Sequence, residues 1–188
     1  MLTLPLEAID KQEALRYMGC PAEPDEALRT VVDTCEQQLR RTVQPRVVYR
    51  VLPLCREAGT LSAGGMQLTG EDIARHLAEC DRMLLMAATP SGQAGTLSLP
   101  PASAGIEQVC NRAEECFREQ LPDTYFTWRF SPGYGDLPLS LQPEILRLLD
   151  AEKRRGLTVT AEHILIPRKS VTAIIGLADH PLKKGARG

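Results

Sequence analysis

Apolar residues recur at every third or fourth position in several parts of the chain, which is the spacing of one helix face. Segments with this spacing predict helices over Asp10 to Met18, Asp25 to Thr42, Thr69 to Cys80, Ala104 to Glu119 and Ser140 to Arg155. The apolar face of the second helix is expected in the core and comprises Leu28, Val31, Val32, Cys35 and Leu39. Gly156 is placed to end the last helix, because glycine readily takes the left-handed conformation found there.

Other segments have the pattern of β-strands. Val47, Tyr49 and Val51 alternate within the run from Arg46 to Leu54, which is typical of a strand with one buried side. Met83 to Thr89 is apolar throughout, so we expect a central strand covered on both faces. Further strands are predicted around Met66 and Leu68, over Tyr125 to Phe130, and over Leu157 to Ile166 and Ser170 to Leu177, the last two forming a hairpin joined by Pro167, Arg168 and Lys169.

The order of these elements favours the α+β class. Helices and strands alternate irregularly, and no even strand-helix-strand repeat is present. We expect a single domain over residues 1–188, with a frayed basic tail over 180–188. The segment Pro90 to Gly105 is rich in proline, glycine and serine and is predicted to be a surface loop, although its length is unusual for a structureless connection.

Composition and charge narrow the class of protein. The formal net charge is −2 and the pI is near 6.0, which does not favour binding to nucleic acid or to an anionic membrane. No window contains the ~20 apolar residues of a membrane-spanning helix, and no export signal is evident, so we expect a soluble, cytoplasmic protein. The six cysteines form no Cys-x-x-Cys pair and are interpreted as reduced thiols; no metal site is expected.

The segment Trp128 to Pro138 is the most informative candidate site. A predicted strand delivers Arg129 to a turn containing Pro132, Gly133 and Gly135, in which the glycines can take positive φ and admit a ligand to the backbone. Arg129 can bind a carboxylate through two parallel hydrogen bonds, Tyr134 offers a ring or a hydroxyl, and Asp136 can accept from an ammonium or a hydroxyl. Structural roles are the alternatives: an ion pair for Arg129, packing for Tyr134 and a turn for Asp136.

The pattern Arg129-x-x-x-Gly133-Tyr134 is similar to the Arg-x-x-x-Gly-Tyr motif with which the reactivation (activation) domain of cobalamin-dependent methionine synthase holds S-adenosylmethionine. The resemblance covers roughly Thr127 to Gly176. Within that range it includes Leu148-Leu-Asp-Ala-Glu-Lys153, Gly156, Thr160 and Ser170-Val171, and upstream Leu15-Arg-Tyr-Met-Gly19 and Leu85-Met-Ala-Ala-Thr89 resemble small free-standing members. It implies a twisted, mainly antiparallel sheet with flanking helices.

The resemblance also implies a function. S-adenosylmethionine would be the ligand, held by Arg129, Gly133 and Tyr134 with Pro132, Gly135 and Asp136 in the same turn, and no residue of this chain would be catalytic. Cobalamin would be carried by a partner, a corrinoid-binding methionine synthase or related methyltransferase, and a flavodoxin-like protein would donate electrons for reductive methylation. The chain would then be one component of a methyltransferase, inactive alone. Two alternatives are a module that senses S-adenosylmethionine or an amino-acid ligand, and a structural subunit of a corrinoid enzyme.

Overall fold

A five-stranded antiparallel sheet forms the centre of the molecule, in the order β1-β2-β6-β10-β7. The computed structural model describes residues 2–3, 10–17, 19–20, 24–42, 44–91 and 101–183. The strands are β1 (Leu2–Thr3), β2 (Gln44–Pro53), β3 (Cys55–Glu57), β4 (Thr60–Ala63), β5 (Met66–Gln67), β6 (Arg82–Ser91), β7 (Tyr125–Phe126), β8 (Thr158–Val159), β9 (Leu165–Ile166) and β10 (Val171–Ala178). Strand β6 lies between β2 and β10 and is buried from residue 83 to residue 90, so the prediction of a covered central strand is confirmed.

Three helices cover one face of this sheet. The helices are α1 (Lys11–Tyr17), α2 (Glu26–Thr42), α3 (Glu71–His76), α4 (Pro101–Gln120), α5 (Gln142–Leu148) and α6 (Ala151–Arg155). Helices α1, α2 and α4 pack over alternate sheet residues such as Val47, Leu84 and Ile175. Asp10 and Asp25 each accept a backbone N–H of the helix that follows, at 2.9 and 2.8 Å, and so explain where α1 and α2 begin.

The opposite face carries a second, separate apolar layer. Helices α3, α5 and α6 and the β3-β4-β5 and β8-β9 sheets lie there, over Val48, Leu85 and Ile174. Neighbouring residues of a strand point to opposite faces, and this explains why Leu84 and Leu85 belong to different layers. The mixed helix and antiparallel-sheet architecture confirms the α+β prediction.

The predicted pairing near the end of the chain is wrong. Leu157 to Ile166 does not pair with Ser170 to Leu177; it folds on itself, and Val159 of β8 is opposite Leu165 of β9. Strand β10 instead pairs with β6 and β7. Residues 172–178 are buried, so inserting this apolar strand between two partners removes both of its faces from water.

Three smaller expectations are also corrected. Val31, predicted in the core, is 51% exposed on α2. The helix predicted from Ser140 to Arg155 is a 3₁₀ turn followed by α5 and α6, interrupted at Asp150, which has a φ of 50°. The predicted loop over 90–105 is shorter, because β6 continues to Ser91 and α4 starts at Pro101; its middle, 92–100, lies outside the described residues, as does the end of the predicted tail, 184–188.

Candidate functional site

The candidate site lies along the free edge of the sheet, where β7 is the last strand. After β7 the chain stays attached to β10, since Thr127 N–H donates to the Gly176 carbonyl at 3.0 Å and Phe130 and Ile174 exchange two backbone hydrogen bonds. This extended geometry sends successive side chains to opposite faces. Arg129 therefore points towards α4, whereas Trp128 and Phe130 pack in the layer on the other face.

Arg129 is held by three side chains of α4. Its Nη2 donates to Glu107 Oε2 at 2.9 Å, its Nη1 donates to Glu114 Oε1, and both nitrogens lie 2.9 Å from Asn111 Oδ1. The three partners are four and three residues apart, so they share one helix face. We call Arg129, Glu107, Asn111 and Glu114 the charged cluster.

The charged cluster is partly open to solvent. The side chains of Arg129 and Glu114 are 19% and 17% exposed, whereas that of Glu107 is 39% exposed. One guanidinium and two carboxylates carry a single net negative charge, which Arg118, 52% exposed and 3.9 Å from Glu114, partly offsets. Glu107 is thus the partner that an incoming group can displace most easily.

The turn after Phe130 has the conformation that its glycines suggest. Pro132 is buried, Gly133 and Gly135 have φ values of 87° and 53°, and Gly133 N–H donates to the Leu137 carbonyl at 2.8 Å. Tyr134 projects from the tip of this turn and is 64% exposed. The ring of Tyr134 is therefore free to cover a ligand.

Helix α3 fixes the turn from below. The Asp136 carboxylate accepts the backbone N–H groups of Glu71 and Asp72, so it caps α3 from 64 residues away in sequence. The N-cap residue itself is Gly70, which has no side chain that could form this cap, so the helix begins two residues later than the predicted start at Thr69. A Cβ on Gly135 would lie 2.5 Å from Asp72 Oδ2, which shows how closely the turn approaches the helix.

An aromatic pocket of about 490 Å³ opens between α3 and the edge segment. Its rings are those of His76, Trp128, Phe130 and Tyr134, with neighbouring ring centroids 4.8 to 6.0 Å apart. Arg129 does not line this pocket, because it faces α4. The structure thus brings Tyr134 and Gly135 to the aromatic pocket and Arg129 to the charged cluster, on either side of one strand.

The hydrogen bonds of Thr127 favour one tautomer of His76. Thr127 Oγ1 accepts the Gly176 N–H at 2.7 Å, and when its own hydrogen goes to the Trp128 carbonyl at 3.1 Å it offers only a lone pair to His76 Nε2, 2.8 Å away. In that arrangement Nε2 carries the proton and Nδ1 is an acceptor. Burial lowers the pKa of His76 to about 4, against the opposing effect of the Trp128 backbone, so the ring is neutral at pH 7.

A search of solved structures relates this fold to a known one. The chain superimposes on the crystal structure of the MetH reactivation domain bound to AdoHcy, with a TM-score of 0.71 and 16% identity, over 98% of this chain and 80% of that one. The chain has the reactivation-domain fold. No family profile matches its sequence, and no curated protein matches it either.

The reactivation-domain fold is the one that the motif around Arg129 predicted, so that prediction is confirmed for the fold. The site residues themselves stay a prediction. Within the described residues, no helix is long and apolar enough to cross a membrane, and no group of histidine, cysteine and acidic residues is arranged to hold a metal ion.

Sequence reasoning missed the partners of Arg129. Glu107, Asn111 and Glu114 fall on the polar side of the predicted helix from Ala104 to Glu119, and the sequence shows no partner for Arg129 there. A signal was present, because three polar residues at helical spacing repeat one turn apart on α4. What the sequence does not contain is that Arg129, fifteen residues after Glu114, folds back onto that face.

Proposed function

We propose that this chain binds S-adenosylmethionine at the charged cluster and Tyr134, as an accessory component for reductive methylation of a corrinoid carried by a partner enzyme. The observation that carries the proposal is Arg129 paired with the half-open Glu107 beside a glycine turn. The reactivation-domain fold supports it, because the similar structure, at 16% identity, was solved with AdoHcy.

The charges of the cluster suit this ligand. S-adenosylmethionine carries an ammonium, a carboxylate and a sulfonium, hence one net positive charge, opposite to the single negative charge of Arg129, Glu107 and Glu114. Its carboxylate replaces Glu107 on the guanidinium, and Glu107 then accepts the ammonium of the same molecule. Every buried charge keeps a partner in this exchange, so little pairing energy is lost.

The turn residues support the same ligand from the edge. The exposed ring of Tyr134 lies on the pocket side of the strand, and in this proposal it turns across the edge of the sheet to cover the ligand. Gly133 leaves the backbone bare where the ligand crosses that edge. Pro132 and Gly135 shape the turn, and Asp136 holds it on α3. The partner's corrinoid supplies the metal that accepts the methyl group, a flavodoxin-like protein supplies the electron, and this chain positions the methyl donor.

Calorimetry with S-adenosylmethionine tests the binding step. We expect a saturable binding heat for the unaltered chain. In Glu107→Gln the affinity should fall roughly tenfold, because this variant loses the charge that receives the ammonium. Glu115→Gln is the matched control, since Glu115 is an exposed residue of the same helix and pairs with Arg112. An absence of heat would overturn the proposal and would leave a structural subunit or a sensor of another amino-acid ligand as the alternatives.

A methylation assay tests the accessory role. The chain is added to a corrinoid-dependent methionine synthase that lacks its own reactivation domain, with inactive cobalamin, a reductant and S-adenosylmethionine, and methylcobalamin is followed by absorbance. We expect formation to depend on the chain and to be lost in Glu107→Gln but not in Glu115→Gln. Binding without any methylation would instead support a sensing module.

A further inference from the structure

The aromatic pocket contains two buried polar atoms that lack hydrogen-bond partners among the described residues. They are Nδ1 of His76 and Nε1 of Trp128. His76 is only 6% exposed, so solvent does not satisfy its nitrogen. Orphaned buried polar atoms are uncommon, and each costs desolvation energy until a partner arrives. The side chains of His76 and Trp128 line the same cavity, so a ligand bound there can supply both partners with a small shift of the two rings.

The two atoms require opposite partners. Trp128 Nε1 carries a hydrogen and can only donate. In the tautomer that Thr127 favours, Nε2 bears the proton, so His76 Nδ1 is bare and can only accept. A ligand that satisfies both must therefore present one acceptor and one donor.

The rest of the pocket favours an uncharged, flat ligand. The rings of Trp128, Phe130 and Tyr134 supply apolar surface, and the cavity volume of about 490 Å³ lies in the range of ordinary ligand sites. The rim is neutral in sum, because Arg75 pairs with Asp72 at 3.1 Å and Lys183 pairs with Glu79 at 3.3 Å. Neither a phosphate nor a cation finds an unpaired opposite charge among these rim residues.

We propose that the aromatic pocket is a second ligand site, separate from the charged cluster, for an uncharged planar heterocycle that carries both a hydrogen-bond donor and an acceptor, of which a purine base is the representative. The heterocycle donates to His76 Nδ1, accepts from Trp128 Nε1 and packs against the rings of Trp128 and Phe130. Arg129 takes no part in it, since it faces α4 on the other side of the strand.

Trp128 is the only tryptophan in the sequence, so its fluorescence reports directly on this pocket. Adenine and uracil are the probes, and toluene is a flat apolar control without hydrogen-bonding groups. We expect saturable quenching by a base and none by toluene at matched concentration. Quenching by toluene alone, or saturable quenching by none of the three, would overturn the proposal.

A matched pair of variants locates the binding. Ala78, in the turn after α3, is exposed and lines the pocket, whereas Ala74 is exposed on α3 but lies outside the lining. Ala78→Arg should weaken base binding by about tenfold or more by filling the mouth, and Ala74→Arg should change it by less than about twofold. Equal affinities in the two variants would contradict the assignment.

Two further measurements separate this site from the charged cluster. His76→Phe keeps a ring but removes the acceptor, and it should weaken base binding by about fivefold, as expected for one lost hydrogen bond. Arg129→Gln should leave base binding unchanged whether or not S-adenosylmethionine binds. A loss of adenine affinity in Arg129→Gln would show one shared site and would refute the second.

Discussion

Two neighbouring residues, Trp128 and Arg129, lie on opposite sides of the same strand edge and in very different surroundings. Arg129 enters a charged cluster in which both of its Nη nitrogens donate to α4 side chains, and that cluster is partly open to water. Trp128 enters an aromatic pocket in which two buried nitrogens have no hydrogen-bond partner among the described residues. The difference shows that a strand at a sheet edge can serve two recognition surfaces, because alternation separates them by a single peptide unit.

Removing the Thr127 hydroxyl should have the largest effect on stability. Thr127→Val keeps the shape but leaves the Gly176 N–H and His76 Nε2 without their partner, in a residue that is 4% exposed. We expect the free energy of unfolding in urea to fall by about 2–3 kcal/mol. Thr34→Val, which alters an exposed hydroxyl on α2, is the control and should change it little. A loss in Thr127→Val no larger than the loss in Thr34→Val would mean that the hydrogen bonds of Thr127 contribute little to stability.

Lowering the pH should reduce the stability of the folded protein through His76, on the aromatic side of the strand. His76 has a pKa of about 4 in the folded protein, below its ordinary value of 6.5, so the unfolded chain binds the proton more tightly between these two values. Stability is thus complete above pH 6.5 and falls as the pH drops, by about 2 kcal/mol between pH 7 and pH 5. Urea unfolding at the two pH values measures this loss. His76→Phe should remove most of this loss of stability, and His180→Gln, at an exposed histidine, is the control. The same pH dependence in His76→Phe would assign the loss to other groups.

The turn between the two surfaces should tolerate a side chain poorly. Gly135→Ala requires an alanine at a φ of 53°, with its Cβ 2.5 Å from Asp72 Oδ2, and we expect a loss of about 1–2 kcal/mol. Gly59→Ala has a similar positive φ of 78° but no atom within 4 Å, so it isolates the conformational cost of about 1 kcal/mol. Thermal unfolding compares the two. A smaller loss for Gly135→Ala than for Gly59→Ala would show that the turn does not press on α3.

The smallest effect is expected at Asp136. Asp136→Ala removes the cap of α3 and should cost about 1 kcal/mol of stability, while the affinity for S-adenosylmethionine changes by less than about twofold. Paired urea unfolding and calorimetry test both statements on one variant. A large loss of affinity with unchanged stability would make Asp136 a direct ligand contact and would contradict its role in holding the turn.

The fold could be predicted from sequence where local pattern and burial agree. Strand β6 is apolar from Met83 to Ala88 because both of its faces are covered there, and α4 shows its apolar face clearly. Pairing could not be predicted in the same way. The two predicted strands Leu157 to Ile166 and Ser170 to Leu177 are close in sequence, but they do not form a hairpin. Strand β10 pairs with β6 and β7 instead, because that position buries more apolar surface.

The candidate site could likewise be predicted only where it depends on local sequence. The motif identified the turn and Arg129, because glycine positions and a strand-end cation are visible in the sequence. The side of the strand that Arg129 faces depends on long-range packing against α4, and the cap that Asp136 provides to α3 spans 64 residues. Such contacts are fixed by the tertiary fold and leave no local trace.

The affinity for S-adenosylmethionine in Arg129→Gln tests the central claim most directly. Arg118→Gln is the control, since Arg118 also reaches Glu114, at 3.9 Å, but lies on the exposed side of α4. Calorimetry should show that the affinity falls roughly 30-fold in Arg129→Gln, as expected when a charged, bidentate hydrogen bond is removed. In Arg118→Gln the affinity should change by less than about twofold. Undiminished affinity in a folded Arg129→Gln variant would contradict the account.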